Sequence, residues 1–304
     1  MKKFVLALLC ILLMTFSVTG CDIIDIEEFI TSSGYSDDNK ASEDVDLNVH
    51  FIDVGQADCI LIESDNQYML VDAGNNADED LILNYLDNLG VQRLEYVIGT
   101  HPHEDHIGSL DAVIRNYDIG KVILPEKEHT TKTFENVLDA IEEKNLKITK
   151  PKVGDKYQIG DANFIIIAPN GDYKDELNDW SVGIKLSLND TSFVMCGDAE
   201  RDAEDDILSN GIDISADVLK LGHHGSRTSS SKEFVDAVNP SFIVITCGMD
   251  NSYGHPHKET MKWLKSRGIP FFRTDMQGTI IASSNGVDIT WNVEPSQSYD
   301  SGSK

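Results

Sequence analysis

Residues 100–106 read Thr-His-Pro-His-Glu-Asp-His, and no other stretch is as informative about the chemistry of the chain. Its spacing, His-x-His-x-Asp-His, brings together three imidazoles and a carboxylate, those of His101, His103, Asp105 and His106. Imidazole nitrogens and carboxylate oxygens are the ligands that borderline divalent cations such as zinc and manganese prefer. A polar loop that is rich in histidine by chance is the alternative. Four potential ligands at fixed spacing favour a metal site instead.

The residues around this stretch predict a turn between a strand and a helix. The apolar run Tyr96–Gly99 precedes it and is typical of a buried strand. We predict that the strand ends at Gly99 and that a helix begins at Ile107. Such a connection would place all four candidate ligands in one turn.

The first 20 residues have the pattern of a secretory signal peptide, because two lysines precede an apolar core too short for a good membrane span. The Val-Thr-Gly-Cys ending resembles a bacterial lipobox, which implies cleavage before Cys21 and lipidation of its sulfur. An uncleaved anchor or an ordinary signal peptide is the alternative. We expect the folded part to be extracellular, lipid-anchored at the outer face of the bacterial cytoplasmic membrane.

Composition divides the rest of the chain into three parts. Residues 21–45 are acidic and rich in Ser and Asp, which predicts a flexible tether. Residues 293–304 are similar and are predicted to form a disordered tail. Residues 46–292 contain no Pro- or Gly-rich break and suit one large α/β domain. No long hydrophobic span is expected, so we expect a tethered domain rather than a transporter.

The chain is strongly acidic, with 52 Asp and Glu residues against 25 Lys and Arg residues and a net charge of −27. Such a surface repels nucleic acid and anionic lipid, which weakens a nuclease hypothesis. Bound cations invert the local field, so the hypothesis is not excluded. Three cysteines outside the first 21 residues lie in apolar segments, and we expect neither a disulfide framework nor a catalytic thiol.

Strand and helix patterns recur in both halves of the domain. Predicted helices include Asp78–Leu89, Ile107–Tyr117, Thr133–Lys144, Glu200–Ser209 and Lys258–Ser266. Strand candidates lie between them and indicate two sheets packed face to face with helices outside.

Further polar residues follow apolar strands, close to a glycine. Seven of the nine histidines fall in three clusters, at residues 101–106, 223–224 and 255–257. Asp72 and Asp198 also end apolar runs. Taken singly, an Asp before Gly is usually a turn or a helix cap. Taken together, the placement indicates loops that gather around a metal.

These motifs, in this order, resemble those of the metallo-β-lactamase fold. Three further stretches resemble the ComEC-type hydrolase domain at the extracellular end of the bacterial DNA-uptake channel protein. They are Phe-Ile-Asp-Val-Gly-Gln-Ala-Asp at 51–58, Leu-Gly-His-His-Gly-Ser at 221–226 and Tyr-Gly-His-Pro-His at 253–257. The resemblance covers about residues 47–292. It implies an αββα four-layer sandwich with a site for two divalent metal ions, zinc or manganese, on one edge.

The resemblance implies a role for each ligand. His101 and His103 would hold the first metal, Asp105 and His106 the second, and Asp198 would bridge the two. A late ligand would come from His223 or His224, and we favour His223 because it comes first after the strand.

The resemblance also implies residues that support the ligands, namely Asp53, Asp58, Asp72, Asn178, Ser181 and His257. Asp72 would orient the histidine loop through hydrogen bonds. The usual third histidine of the first metal is missing, since no histidine lies between His129 and His223. Asn-Asp-Trp-Ser at 178–181 matches the ComEC-like segment there and predicts a weaker, oxygen-rich first site that favours manganese.

Two metals of this kind provide a metal-bound hydroxide as the nucleophile. Asp105 and His255 are the predicted catalytic residues, with His255 donating to an oxyanion or leaving group. His257 is equally compatible with a structural turn. The hydroxyl-rich residues 226–231 could bind phosphate or simply cap a helix.

We therefore expect a surface-exposed phosphodiesterase or nuclease. Its substrate would be nucleic acid, as short or single strands, or a smaller phosphodiester such as a choline-phosphate ester. A lactonase or esterase of the same fold is the alternative enzyme, and a non-catalytic surface-binding lipoprotein is the alternative outside enzymes.

Overall fold

The computed structural model describes residues 45–302. The predicted signal peptide, the predicted lipidation site Cys21 and the predicted tether up to residue 44 lie outside the described residues. Among those described, no helix is both long and apolar enough to cross a membrane.

The first sheet has eight strands. They are β1 (Leu47–Phe51), β2 (Ile60–Ser64), β3 (Gln67–Val71), β4 (Arg93–Ile98), β5 (Asp118–Ile123), β6 (Ile148–Thr149), β14 (Ile280–Ser284) and β15 (Ile289–Trp291). Their order across the sheet is β15-β14-β1-β2-β3-β4-β5-β6. The strands from β3 to β6 pair in parallel, and the other pairs are antiparallel.

The second sheet has seven strands. They are β7 (Lys156–Ile159), β8 (Ala162–Ala168), β9 (Gly183–Leu188), β10 (Thr191–Met195), β11 (Val218–Lys220), β12 (Phe242–Ile245) and β13 (Phe271–Arg273). Their order is β13-β12-β11-β10-β9-β8-β7. The strands from β7 to β10 form an antiparallel meander, and those from β10 to β13 pair in parallel.

Eight α-helices connect the strands in the described part of the chain. They are α1 (Glu79–Asn88), α2 (Glu104–Ile107), α3 (Leu110–Asn116), α4 (Lys132–Glu143), α5 (Arg201–Ser209), α6 (Lys232–Val238), α7 (Lys258–Arg267) and α8 (Thr274–Gln277). Short 3₁₀ turns cover Asn76–Asp78, Leu177–Trp180 and Gly222–Gly225.

Three apolar clusters give the domain four layers. Alternate residues of the strands, such as Val49 and Phe164, fill the space between the two sheets. A second cluster packs the outer face of the first sheet against α1, α3 and α4. The third packs the outer face of the second sheet against α5, α6 and α7. This αββα arrangement is the predicted fold class.

The structure corrects two predictions of local structure. The helix expected to begin at Ile107 begins at Glu104 and breaks before Leu110, so Asp105 and His106 lie within a helical turn. Residues 293–302 were predicted to be disordered, yet they lie against the domain. The Asp300 carbonyl accepts a 2.6 Å hydrogen bond from Arg273, and the Phe271 carbonyl accepts one from Ser296. Composition does not indicate this, because the contacts involve backbone carbonyls and a single aromatic ring, that of Tyr299 against Phe271.

Candidate metal centre

The candidate metal centre is built on loops that follow the carboxyl ends of strands in both sheets. Asp72 follows β3, and the histidine stretch follows β4. Asp198 follows β10, and His223 and His224 follow β11. The sequence predicted this gathering from the position of each polar group after an apolar run.

Four of the predicted ligands converge, namely Asp105, His106, Asp198 and His224. One ligand atom from each lies within 4.8 Å of the others. His106 Nε2 is 3.2 Å from Asp198 Oδ1, and His224 Nε2 is 3.4 Å from Asp105 Oδ2. All but Asp105 are buried.

The chemistry of this cluster fits a divalent cation. The Nε2 atoms of His106 and His224 and Oδ1 of Asp198 are buried and have no hydrogen-bond partner in the described residues. A buried polar atom without a partner costs about 1–3 kcal/mol. Because these three atoms face one another, a single positive ion could contact all of them. A cation held by these nitrogens and carboxylates would satisfy all of them.

When no metal is bound, protons on the His106 and His224 rings supply the positive charge beside the carboxylates. Burial by itself lowers the pKa of His224, but Asp198 and Asp58 together raise it to about 10. His106 follows the same pattern, since burial lowers its pKa and Asp198 and Asp72 raise it well above the ordinary value. Metal binding must therefore displace protons from the imidazoles.

His224, and not His223, belongs to this cluster, which corrects the preference for His223. His224 donates its Nδ1–H to the Thr246 carbonyl at 2.9 Å, so its Nε2 is free for a metal. His223 lies at the rim, with Nδ1 3.0 Å from Glu200 Oε1 and Nε2 3.7 Å from Asp198 Oδ2. Both histidines have a left-handed backbone, with φ values of 50° and 53°. Strand alternation therefore did not predict their directions.

Asp72 orients the helical turn of the histidine stretch. Its Oδ1 accepts the Thr100 N–H at 2.7 Å, and its Oδ2 accepts the Thr100 hydroxyl at 2.8 Å. The same Oδ2 is 2.8 Å from His106 Nδ1. This bond fixes the His106 proton on Nδ1 and leaves Nε2 directed at Asp198.

A buried ion pair between Asp58 and Lys220 lies next to the cluster and stabilises it. Asp58 Oδ2 is 2.6 Å from the Lys220 ammonium, and its Oδ1 accepts the Thr246 hydroxyl at 2.5 Å. Asp58 Oδ1 also lies 3.4 Å from His224 Nδ1. Burial alone raises the pKa of Asp58, but Lys220 and His224 lower it below its usual value. The carboxylate therefore stays charged and holds the His224 ring.

His101 and His103 form a second, more open pair of nitrogens. His101 Nε2 is 2.9 Å from His103 Nδ1. Two nitrogens on one tetrahedral zinc would be about 3.3 Å apart, so this spacing is near that of a chelate. Burial and the neighbouring His106 lower the pKa of His101, so its ring is neutral. Neither residue belongs to a group of three or more candidate ligands in the described residues.

Residues 178–181, which match the segment in the place of the missing histidine, contact this pair but add no member to the groups of candidate metal ligands. Ser181 Oγ lies 3.3 Å from His101 Nδ1 and accepts the Asp198 N–H at 3.1 Å. Asn178 donates to Glu200 Oε1 at 3.1 Å, and its own Oδ1 is buried without a partner.

Gly197 permits this close packing before Asp198. Its φ is +51°, and a Cβ there would lie 2.8 Å from the Thr100 hydroxyl oxygen. A side chain would therefore displace Thr100 and, with it, the support of Asp72.

His255 faces the cluster, and its ring centroid is 5.1 Å from that of His223. Gln56 accepts the Gly248 N–H through Oε1, which turns its amide nitrogen towards His255 Nδ1 at 3.2 Å. His255 Nδ1 is thus an acceptor, and its proton lies on Nε2. Burial, together with His223 and His224, lowers the pKa of His255 to about 3. The ring is a neutral hydrogen-bond donor.

Two other predicted residues have structural contacts. His257 Nδ1 accepts the Arg227 N–H at 3.0 Å, at the start of α7. Asp53 accepts the Gly55 N–H at 3.2 Å in its own turn and lies outside the groups of candidate ligands.

Sequence reasoning missed Thr100, Lys220, Glu200 and Gln56. Only Lys220 carried a signal, because a lysine within the apolar run Val218–Leu221 is unusual for a buried strand. The other three are ordinary polar residues whose roles depend on contacts across the fold.

Comparisons with known proteins agree with this architecture. The sequence profile of the Metallo-beta-lactamase superfamily matches residues 52–245. The chain is 29% identical to ComE operon protein 3 of Bacillus subtilis, covering 76% of this chain and 32% of that protein. It is 27% identical to Competence protein ComA of Neisseria gonorrhoeae, covering 75% and 31%. It is 28% identical to Recombination protein 2 of Haemophilus influenzae, covering 71% and 26%.

The chain spans about a third or less of the length of these relatives. A solved structure of similar fold is that of Igni18, a metallo hydrolase from Ignicoccus hospitalis, with a TM-score of 0.51 and 16% identity over 77% of this chain and 98% of that one. The diiron β-hydroxylase CmlA from Streptomyces venezuelae has a TM-score of 0.50 and 14% identity over 75% and 53%. Both likenesses concern the fold alone.

The superfamily profile covers more than half of the chain, and the αββα sandwich agrees with it. The chain therefore belongs to the metallo-beta-lactamase superfamily, with ComEC-like proteins among its relatives.

Proposed function

We propose that this domain is a metal-dependent phosphodiesterase that acts on short or single-stranded nucleic acid. The convergence of buried His106, His224 and Asp198 atoms that no residue outside the cluster satisfies carries the proposal of a hydrolytic metal centre. The metallo-beta-lactamase fold uses a dinuclear site, and His101 and His103 would supply the other half of it.

When bound, two divalent cations act as Lewis acids and activate water for attack. Asp198 and Asp105 present carboxylates to them, and His106 and His224 present neutral nitrogens once their protons leave. The His255 Nε2–H would donate to the oxygen that becomes negative as the phosphorus–oxygen bond breaks. The low pKa of His255 keeps this donor neutral, so it stabilises charge without first requiring a proton from solvent.

One observation supports a phosphodiester as the substrate, and a second restricts which phosphodiester it is. Relatives of the chain carry the names Competence protein ComA and Recombination protein 2, and a nucleic-acid substrate agrees with both names. The net charge of −27 disfavours a long duplex lying along the surface, so a short or single strand that enters the metal edge suits the chain better.

We also propose that the domain works outside the cell, anchored to the membrane through lipid on Cys21. The Val-Thr-Gly-Cys pattern supports this anchor. Fractionation of cells that produce the chain or its Cys21→Ser variant tests it. The wild type should be found with membranes and the variant should be released, whereas equal membrane association would contradict the anchor.

The activity is tested with the purified full-length chain, a fluorescent single-stranded oligonucleotide and bis(p-nitrophenyl) phosphate. Each is assayed with manganese, with zinc and with chelator. Asp198→Asn removes charge from the cluster, and Asp175→Asn removes the same charge from an exposed position. We expect metal-dependent cleavage of the oligonucleotide by the wild type and by Asp175→Asn only.

Other outcomes would replace the proposal. Turnover of the small diester alone would identify a small phosphodiester as the substrate. Binding of metal without turnover of either substrate would contradict the phosphodiesterase proposal and favour a lactonase or a binding protein.

A further inference from the structure

A cavity of about 360 Å³ lies beside the candidate metal centre. Its volume is in the range of small-ligand pockets. Its charged lining residues are four basic ones, Arg201, Arg227, Lys232 and Arg267, and one acidic one, Glu259, so the lining carries a net positive charge. None of these residues is a candidate metal ligand, so the metal centre does not explain the cavity.

The loop at 226–231 is a wall shared by the cavity and the metal centre. On the metal side, Thr228 Oγ1 donates to Glu200 Oε1 at 3.0 Å, and the same oxygen lies 3.0 Å from His223 Nδ1. The residues on either side of Thr228 line the cavity. A ligand in the cavity would therefore be separated from the metal centre by the thickness of one loop.

Two residues that line the cavity carry buried hydroxyl groups without a partner in the described residues. Ser229 is 5% exposed and Thr260 is 1% exposed. Neither Ser229 Oγ nor Thr260 Oγ1 has a hydrogen-bond partner in the described part of the chain. Both oxygens have almost no accessible surface, and Ser229 Oγ lies only 3.5 Å from where a Cβ of Gly222 would be, so neither hydroxyl is open to a ligand in the cavity.

The arginines supply positive charge in a chain that is otherwise acidic. Arg201 pairs with Glu233 at 3.3 Å, and Arg267 pairs with Asp236 at 2.6 Å. The Arg227 guanidinium forms no ion pair or hydrogen bond among the described residues, because only its backbone N–H is engaged. A guanidinium donates two parallel hydrogen bonds to phosphate oxygens.

The backbone at the start of α6 is not available to such a ligand. The Ser230 and Ser231 N–H groups donate to the two carboxylate oxygens of Glu204, at 2.5 and 2.8 Å. This corrects the idea that residues 226–231 bind phosphate through a helix start. Side chains must therefore recognise any ligand in the cavity.

We propose that this cavity binds a phosphate group of the substrate other than the one that is cleaved. Arg227 would hold two of its oxygens, and the positive charges of Arg201, Lys232 and Arg267 would favour the anion. This inference rests on the proposed function, because it adds a second phosphate contact for a nucleic-acid strand whose scissile phosphate lies at the metals.

Arg227→Ala tests the inference through the ratio of two specificity constants. The ratio divides kcat/KM for a short single-stranded oligonucleotide by kcat/KM for bis(p-nitrophenyl) phosphate, which has only one phosphate. Hydrogen bonds to charged groups contribute about 1.5–3 kcal/mol, so we expect the ratio to fall about tenfold or more. Arg115→Ala removes an arginine from α3, in the opposite layer, and should change the ratio less than about twofold. Equal ratios in the two variants would overturn the inference.

The position of the phosphate is tested with oligonucleotides that carry a 5′-phosphate or a 5′-hydroxyl group. A preference for the 5′-phosphate that Arg227→Ala removes would assign the cavity to a terminal phosphate. Loss of turnover by Arg227→Ala on both oligonucleotides alike would assign it to an internal phosphate.

A separate measurement distinguishes failure of this inference from failure of the proposed function. If the wild type cleaves neither substrate, the proposed function fails, and the cavity is tested with inorganic phosphate. Calorimetry with the full-length Asp198→Asn variant in chelator should detect binding that Arg227→Ala weakens at least fivefold and Arg115→Ala leaves unaltered. No binding, or binding that Arg227→Ala leaves unaltered, would overturn the inference.

Discussion

The two halves of the metal centre differ in how completely the chain builds them. The half around His106, Asp198 and His224 is buried, and a second set of hydrogen bonds fixes each ring. The half around His101 and His103 has two nitrogens and no buried carboxylate group of its own. A site that is rigid before the metal arrives loses less entropy on binding, so the first half should hold its metal more tightly.

The largest expected effect separates the adjacent histidines. His224→Ala should lower kcat about a thousandfold or more and remove one tightly bound metal, because His224 presents its Nε2 to the cluster. His223→Ala should cost no more than about tenfold, because His223 lies at the rim and contacts Glu200. Steady-state kinetics and metal analysis of both variants check this. Equal losses would show that both histidines bind metal.

The buried ion pair of Lys220 and Asp58, which lies next to the more tightly binding half, gives the second largest expected effect. Lys220→Met should lower the free energy of unfolding by about 3 kcal/mol, because it leaves the Asp58 carboxylate buried without its partner. The double variant Lys220→Met with Asp58→Asn should recover part of that loss, since both charges are then gone. Urea denaturation measures both. A double variant less stable than the single one would contradict the role given to this pair.

His255 gives a smaller effect that concerns chemistry rather than metal binding. His255→Ala should lower kcat about a hundredfold, and His255→Gln should keep more of it, because an amide also donates a hydrogen bond. Because the His255 pKa is about 3, its ring is neutral above pH 5. The pH–kcat profile of His255→Gln should therefore match that of the wild type from pH 5 to pH 9. A fall in wild-type kcat with rising pH that the Gln variant lacks would show that a protonated His255 is the acid.

The smallest effect concerns the open half. Ser181→Ala should weaken the more loosely held metal about tenfold, because Ser181 contacts His101 and the Asp198 backbone. The tightly held metal should be weakened less, because Ser181 contacts only the backbone of Asp198 and neither histidine ring of that half. Metal titration followed by calorimetry distinguishes the two steps, and equal weakening of both would show that the halves are not independent.

The same comparison shows what the sequence could and could not predict. The ligand spacing at 101–106 and the position of Asp198 after an apolar run indicated a metal site, and the family resemblance of these motifs implied its place at one edge of an αββα sandwich. The choice between His223 and His224 was not predictable, because two successive left-handed residues redirect both side chains. Residues 293–302 were misjudged because their partners, such as Arg273, bind backbone carbonyls that composition does not describe.

The support of the ligands was harder to predict than the ligands themselves. Lys220 pairs with Asp58 across 162 positions of sequence, and the Gly248 backbone orients Gln56 across 192. Contacts of such separation follow from how the two sheets pack, and no local pattern predicts them. Only the contact of Lys220 carried a sequence signal, because Lys220 is a charged residue within an apolar strand.

Metal stoichiometry is the most direct test of the central claim that the chain holds two metals with unequal affinity. The full-length chain is titrated with manganese and with zinc, and bound metal is counted by elemental analysis beside Asp198→Asn and Asp175→Asn. We predict two metals per chain with dissociation constants at least about tenfold apart, and loss of the tighter step in Asp198→Asn only. A chain that retains no metal, or an Asp198→Asn variant that binds two metals as the wild type does, would contradict the account.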